Sequence, residues 1–270
     1  MARKKIGIIG CGTIGSSLAK AVSRGLSGQA TLAFISEHRP EKAEKLKRKL
    51  HSGVQIVSMA ELVRRSDIIV EAASAAAAAE VLKLNLKSGQ DVLIMSVGGL
   101  LKVKNPLAVL KNKKARFWIP SGALCGIDGL LGSAQAGLKS VKIVTRKPPQ
   151  GLNQAPHFQK HKFPELRGNE EKRVFVGSAL EAVKSFPQNI NVAAVLSLAG
   201  LGARKTRVEI WTSNAYRSNR HEVFIRSGAG EIHTLTNNVP SRENPKTSAM
   251  AIYSAIAILE KIFSTVRIGT

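Results

Sequence analysis

The run Ile6-Gly-Ile-Ile-Gly-Cys-Gly-Thr-Ile-Gly15 restricts the fold more than any other stretch of the chain. Its apolar first half reads as a short buried parallel strand, and Leu18, Ala19 and Val22 beyond it recur at helical spacing. Gly10, Gly12 and Gly15 therefore stand between strand and helix in the order G-x-G-x-x-G. In that setting Gly10 permits the tight turn, Gly12 lets a pyrophosphate approach the backbone, and Gly15 lets helix and strand pack closely. The helix N-terminus adds N–H donors and positive dipole for the phosphates, so Cys11, Thr13 and Ile14 belong to the expected cofactor contacts.

A carboxylate supports the same reading. Glu37 closes the next apolar run, Thr31-Leu-Ala-Phe-Ile-Ser, at roughly the 20-residue offset expected of an acid that bonds ribose hydroxyls. Arg39 follows two residues later and suits a 2′-phosphate, which leaves both NAD and NADP open.

Strand and helix signals keep alternating through Pro40–Leu50, Val54–Val57, Met59–Arg65, Asp67–Ala73, the alanine run after Ser74, Asp91–Val97 and Ala115–Ile119. Such alternation describes a doubly wound parallel sheet, whose ligands bind outside the carboxyl ends of the strands. Ser74, the run 96–99 and the run 121–123 occupy such ends and are expected to wall the nicotinamide pocket. After Pro120 the pattern changes. A helix is expected around Ile127–Ala136 and a strand at Val141–Thr145. Pro148 to Lys172 carries four prolines with His157 and His161 and reads as a long surface loop. The spacing of those two histidines fits a helical metal pair, but flanking prolines and the lack of a following acidic ligand argue against a metal. Two short helices broken at Pro187 come next, then antiparallel strands at Thr206–Trp211, His221–Ser227 and Glu231–Asn237. Asn244-Pro-Lys-Thr-Ser is expected to open a helix, Ala249–Phe263, that is apolar on most sides and hence buried. The expected fold is α/β: a Rossmann doubly wound parallel sheet from 1–121 with 245–270, and a second α/β domain from 122–244 with a mostly antiparallel sheet.

Composition bounds the function. The 270 residues can bury a substantial core, 44% of them are hydrophobic, and no apolar stretch approaches membrane-spanning length. No signal peptide is expected, because the first apolar run is interrupted by structural glycines, so the protein is expected in the cytoplasm. Cys11 and Cys125 match neither a metal spacing nor a secreted disulfide framework. The 41 Lys and Arg against 18 Asp and Glu give a formal charge of +23, which attracts anions generally. The basic residues are scattered over helix-like stretches without interleaved aromatics, so no specific nucleic-acid partner is expected.

Several motifs resemble the L-aspartate dehydrogenase family: Ser121-Gly-Ala, Thr145-Arg-Lys, Gly177-Ser-Ala, Phe186-Pro-x-Asn189-x-Asn-Val-Ala-Ala, Asn219-x-His221-Glu and Glu243-Asn-Pro-Lys-Thr-Ser248. They occur in the family's order over nearly the whole chain. The resemblance implies a Rossmann domain, a second domain whose sheet lines the substrate cleft, and a homodimer. It implies NAD(P)-dependent oxidative deamination of L-aspartate to iminoaspartate, then oxaloacetate and ammonia, which in some members feeds NAD synthesis. By position it implies His221 as the catalytic histidine, Ala123 and Asn189 as NAD contacts, and Asn219 as a polar neighbour of the histidine. The loop Pro148 to Lys172 and the basic stretch Leu201–Lys205 depart from the family pattern without removing a catalytic motif.

The residues bear on the chemistry independently. A histidine, with an ordinary pKa near 6.5, suits proton removal from the amine and delivery of water to the imine. Glu222 falls on the opposite face of a strand from His221. A dicarboxylate substrate calls for cations, and Arg146, Lys147 and Lys246 are the candidates. Two alternatives stay open: a related Rossmann amino-acid or dihydrodipicolinate-type reductase, and a non-catalytic dinucleotide-sensing or nucleic-acid-binding protein.

Overall fold

A computed structural model of the protein describes residues 3–26, 28–50, 53–103, 105–111, 115–187 and 190–269, without the side chains of 86, 87, 245 and 246. The chain separates into one unit of 1–120 with 252–267 and another of 121–251 with 268–270. Among the described residues no helix is long and apolar enough to cross a membrane.

In the first unit strands and helices alternate: β1 (Lys4–Ile9), α1 (Thr13–Gly25), β2 (Ala30–Ser36), α2 (Pro40–Leu50), β3 (Gln55–Ile56), α3 (Met59–Arg65), β4 (Ile68–Glu71), α4 (Ala75–Ser88), β5 (Asp91–Ile94), α5 (Pro106–Lys111) and β6 (Phe117–Trp118). The strands pair in the order β3-β2-β1-β4-β5-β6, every pair parallel. The sheet therefore reverses direction of winding between β1 and β4, where α/β sheets open a crevice for ligands. Local chemistry sets the helix starts. Ser58 Oγ accepts from Glu61 N at the head of α3, and Ser74 Oγ accepts from Ala77 N at the head of α4, each at 3.2 Å. Gly89, at φ +77°, ends α4 in the left-handed conformation. The core joins Ile6 and Ile8 of β1 to Leu18 and Val22 of α1, with Ala255 and Leu259 from the last helix. Truncating such a buried Ile to Ala removes about 2–5 kcal/mol.

The second unit contains α6 (Ile127–Gln135), β7 (Leu138–Lys147), α7 (His157–Lys160), β8 (Lys172–Ser178), α8 (Ala179–Ser185), α9 (Asn191–Ala199), β9 (Arg207–Thr212), β10 (Asn219–Ser227), β11 (Gly230–Asn238), β12 (Pro240–Ser241) and β13 (Asn244–Ser248). Its five-stranded sheet runs β11-β10-β7-β9-β8 and is antiparallel except between β7 and β9. Along β10 the residues alternate. His221, Val223, Ile225 and Ser227 are buried, while Arg220, Glu222, Phe224 and Arg226 are at least partly exposed. The final helix, α10 (Ala249–Phe263), begins in this unit and continues in the first.

One strand escaped the sequence reading and two sequence expectations are corrected. Lys172–Ser178 is a strand, hidden in the sequence because almost every residue of it is only half-buried and its apolar alternation is weak. Asn244–Ser248 is not the start of a helix but β13, paired with β12, in keeping with the extended conformation that Pro245 imposes on Asn244. The last helix buries Ile252, Ala255 and Leu259, while Met250 and Tyr253 are 47% and 66% exposed, so it is one-sided rather than enclosed.

Candidate functional site

The glycine turn joins β1 to α1 at the carboxyl end of the parallel sheet. Gly10 has φ +96°, and a Cβ there would lie 2.7 Å from the Ala72 carbonyl oxygen. A Cβ on Gly15 would lie 1.8 Å from the Gly10 carbonyl oxygen, so any side chain would part strand and helix. Gly12 differs, because a Cβ there meets nothing within 4 Å. That open ground lies at the N-cap of α1, where no side chain caps the helix and no acid occupies the first turn. A pyrophosphate fits this arrangement, since the backbone is accessible and the local field is positive. Thr13 and Ile14 form the first turn, with Thr13 O accepting from Ser17 Oγ at 2.9 Å and Ile14 packing on the core.

Glu37 reaches back to this turn. Its Oε2 accepts from Cys11 N at 2.9 Å and its Oε1 accepts from Arg39 N at 3.2 Å. Burial alone would raise its carboxyl, but those two N–H donors, the neighbouring His38 and the Arg39 side chain hold it below the ordinary value. Arg39 is 48% exposed, with Nε 3.5 Å from Glu37 Oε1. Cys11 is no nucleophile, because burial and then the Glu37 charge push its thiol up to about 12.

The sequence reading missed Glu71, a fully buried acid at the end of β4. Its Oε1 accepts from Ala73 N at 2.8 Å, Ser74 N at 3.0 Å and Ser96 Oγ at 2.9 Å, while Oε2 accepts from Ser96 N at 2.9 Å. Burial drives this carboxyl upward against those donors. All four partners donate, an arrangement that suits the carboxylate form. One side chain thus fixes the two loops, after β4 and after β5, that the sequence marked as pocket walls. Gly99 completes the lock, since a Cβ there would lie 2.5 Å from Ala75 O. The signal was legible as an acid closing the otherwise apolar Ile68–Glu71.

In the second unit the register of β7 against β10 assembles the polar site. His221 pairs with Thr145 and Arg220 with Arg146, so Thr145 and Lys147 share a face with Asn219 and His221. His221 is 2% exposed, and its Nδ1 lies 3.0 Å from Thr145 Oγ1. Burial, with the Lys147 charge adding to it, lowers this imidazole to about 3. Lys147 is itself buried, which lowers its ammonium to about 8. Lys147 and Asn219 line a cavity of about 650 Å³, walled also by Gln150 and Gln154 and by Tyr216 and Arg217. The stretch 148–156, read from sequence as a surface loop, is one wall of this cavity, with Leu152 and Ala155 buried beneath it. His157 lies in an aromatic cluster. Its ring stacks on His161 at 4.4 Å and on Phe186 at 5.0 Å.

Arg146 turns the other way. Its guanidinium bonds Glu222, which Arg220 and His233 also approach at 3.2 and 3.3 Å, and it lies 3.6 Å from Glu171. Adjacent residues of one strand have thus been divided between opposite faces. Ala123 is buried, and its carbonyl accepts from Asn238 Nδ2 at 3.2 Å, while Asn238 Oδ1 accepts from Ser248 Oγ at 2.7 Å. This chain ties the turn 121–126 to the ends of β11 and β13. Asn189 and the Lys246 side chain lie outside the described residues.

Comparison with known proteins adds ancestry. A family model described as "Aspartate dehydrogenase, C-terminal" matches residues 128–262, and one described as "Homoserine dehydrogenase, NAD binding domain" matches 10–119. The chain is 41% identical to an L-aspartate dehydrogenase of Methanosarcina acetivorans, over 98% of this chain and 99% of the relative. It is 38% identical to an L-aspartate dehydrogenase of Methanothermobacter thermautotrophicus, over 98% of each. The crystal structure of aspartate dehydrogenase from Thermotoga maritima superposes with a TM-score of 0.78 at 28% identity, covering 99% of this chain and all of the other. A myo-inositol dehydrogenase of Lactobacillus casei, at 12% identity and a TM-score of 0.54 over 99% of this chain and 89% of the other, shares the fold alone.

Proposed function

The chain belongs to the aspartate dehydrogenase family, and from that premise we propose that His221 is the proton carrier in oxidative deamination of L-aspartate to iminoaspartate, then oxaloacetate and ammonia. The observation that carries the assignment is the buried His221–Thr145 pair, aligned along one sheet face with Lys147 and Asn219 at the wall of the cavity.

With Nδ1–H donating to Thr145 Oγ1, the imidazole keeps its Nε2 lone pair for the substrate ammonium. Its burial and the neighbouring Lys147 charge make the ring resist protonation. A bound dicarboxylate reverses that balance, since its negative charges offset Lys147 and favour the imidazolium. His221 therefore gains basicity on the arrival of the substrate whose proton it removes. Loss of that proton and of the Cα hydride leaves a C=N bond. When bound, the dinucleotide supplies the acceptor for the hydride. Water then adds to the iminium carbon, giving up a proton to solvent, and the protonated ring passes its proton to the nitrogen, which departs as ammonium. Lys147 holds a substrate carboxylate as a desolvated cation, where such a pairing is stronger than at the surface. Asn219 offers an amide to the same ligand.

Gly10, Gly12, Gly15, Thr13 and Ile14 hold the dinucleotide in this reading, with Glu37 toward the ribose. The cofactor is NAD rather than NADP, supported by the ionised Glu37 and by Arg39 already lying against it. A 2′-phosphate would meet like charge there. The reading extends to a cytoplasmic homodimer, supported by family membership and by exposed Val239 and Tyr253.

The test is NAD(P)H absorbance with the purified protein and L-aspartate, using NAD and NADP in turn and D-aspartate as control. L-Aspartate-dependent reduction of NAD is expected, with weaker turnover of NADP. A chain inert with both cofactors in both directions would end this reading.

A further inference from the structure

The charge of +23 exceeds anything that a dinucleotide or a dicarboxylate requires, and on α2 it is spread over solvated positions such as Lys45, Lys47 and Lys49. In the second unit it converges. The starts of β7 and β9, the end of β10 and the turn before β9 enclose a hollow of about 660 Å³ lined by Lys139, Lys142, Lys205, Arg207 and Arg226. Among the described residues no carboxylate lines it. Lys142 Nζ is 4.0 Å from Glu209, and Arg226 Nε is 2.8 Å from Glu231 in a pair that is mostly exposed and hence weakly held. Among the described residues no acid pairs with Lys139, Lys205 or Arg207.

Five cations around one hollow repel one another, and an anion in their midst turns that repulsion into attraction. A dicarboxylate would leave part of the charge uncompensated. The aromatic wall narrows the choice further. Phe224 is covered by the His233 ring at a centroid distance of 4.2 Å and carries the Lys142 ammonium at 4.6 Å. Both contacts occupy ring surface on which a nucleobase would stack, as a site for single-stranded nucleic acid would need.

We propose that this hollow binds a compact, multiply phosphorylated anion of the tripolyphosphate class, gripped by Lys139, Lys205 and Arg207 and flanked by Lys142 and Arg226. Arg207 supplies a planar fork for two phosphate oxygens, and the lysines supply point charges. None of these residues belongs to the glycine turn or to the cavity lined by Lys147 and Asn219, so the site is independent of the dehydrogenase reading.

The experiment is calorimetric titration of sodium tripolyphosphate into the full chain, repeated with two double variants whose net charge is the same. Lys205→Glu with Arg207→Glu reverses charge in the hollow. Lys45→Glu with Lys83→Glu reverses it on exposed helix positions of the first unit. The wild type is expected to bind one equivalent, the first variant at least about tenfold more weakly, and the second nearly as the wild type. Matching melting curves establish that all three are folded. Equal weakening in both variants would overturn the proposal in favour of diffuse attraction, as would absence of binding to the wild type. Preference for a DNA duplex over tripolyphosphate, lost in the first variant, would also overturn it. So would sedimentation showing that the first variant dissociates a wild-type dimer, which would make this face a contact between copies.

Discussion

In the first unit the groups proposed for the dinucleotide are backbone: the turn at Gly10 and Gly12 and the N-terminus of α1. In the second the groups proposed for the chemistry are side chains on a sheet: His221, Thr145, Lys147 and Asn219. Backbone sites depend on the absence of side chains, so their sensitive positions are glycines whose Cβ would collide. Side-chain sites depend on strand register, so their sensitive positions are residues distant in sequence that pairing brings together. Each unit should therefore fail in its own way.

Gly15→Ala is expected to break the first site most severely, because its Cβ would lie 1.8 Å from a carbonyl oxygen. Loss of measurable NADH binding should accompany a stability loss of about 1–3 kcal/mol or more. Gly12→Ala is the sharper companion. Its Cβ meets nothing in the protein itself, so urea unfolding should be nearly unchanged while fluorescence titration shows weakened NADH binding. If Gly12→Ala binds NADH as the wild type does, the open space at Gly12 is not reserved for a ligand.

Lys147→Ala should raise KM for L-aspartate about 10–100-fold, the scale of one charged hydrogen bond, while Arg146→Ala should leave KM close to wild type. The contrast rests on strand parity, since Arg146 already bonds Glu222 on the other face. Equal effects in steady-state kinetics would remove the distinction.

Glu71→Gln retains an acceptor for Ala73 and Ser74 but turns an amide donor or a poorer acceptor toward Ser96. A loss of about 1–3 kcal/mol is expected in urea unfolding, with weaker NADH binding, because the loops after β4 and β5 lose their common anchor. NADH affinity that stays at the wild-type value would confine Glu71 to a structural role.

The last effect is read against pH. His221 titrates near 3 in the fold against an ordinary 6.5, so between those values the unfolded chain takes up a proton that the fold refuses. Stability from this group is present above about 6.5 and is lost as pH falls toward 3. His221→Gln should flatten the acid limb of stability against pH by up to about one proton. Identical limbs would mean that the ring is protonated in the fold.

The same contrast explains what could be read from sequence. Gly10, Gly12, Gly15 and Glu37 were legible because strand, turn and helix lie within one short stretch, and Glu37 does reach the turn through Cys11 N. His221 stood out through family motifs rather than spacing, and its partner Thr145 was invisible as such, 76 residues away and joined only by register. Arg146 and Lys147 looked equivalent as neighbours, and only the pleat separates them. The wall at 148–156 read as surface because its three prolines obscured Leu152 and Ala155, which are buried. Glu71 escaped notice because an acid ending an apolar strand also reads as the strand's exposed terminus, whereas here it is fully buried.

The most direct test of the central claim compares kcat/KM for L-aspartate in wild type and His221→Ala, with NADH affinity measured on both. A fall of about 10²–10⁴ in kcat/KM at unchanged NADH affinity is predicted, the range of general acid–base catalysis. Turnover within a few-fold of wild type would contradict the account and pass the proton to another group, with Lys147 next in line.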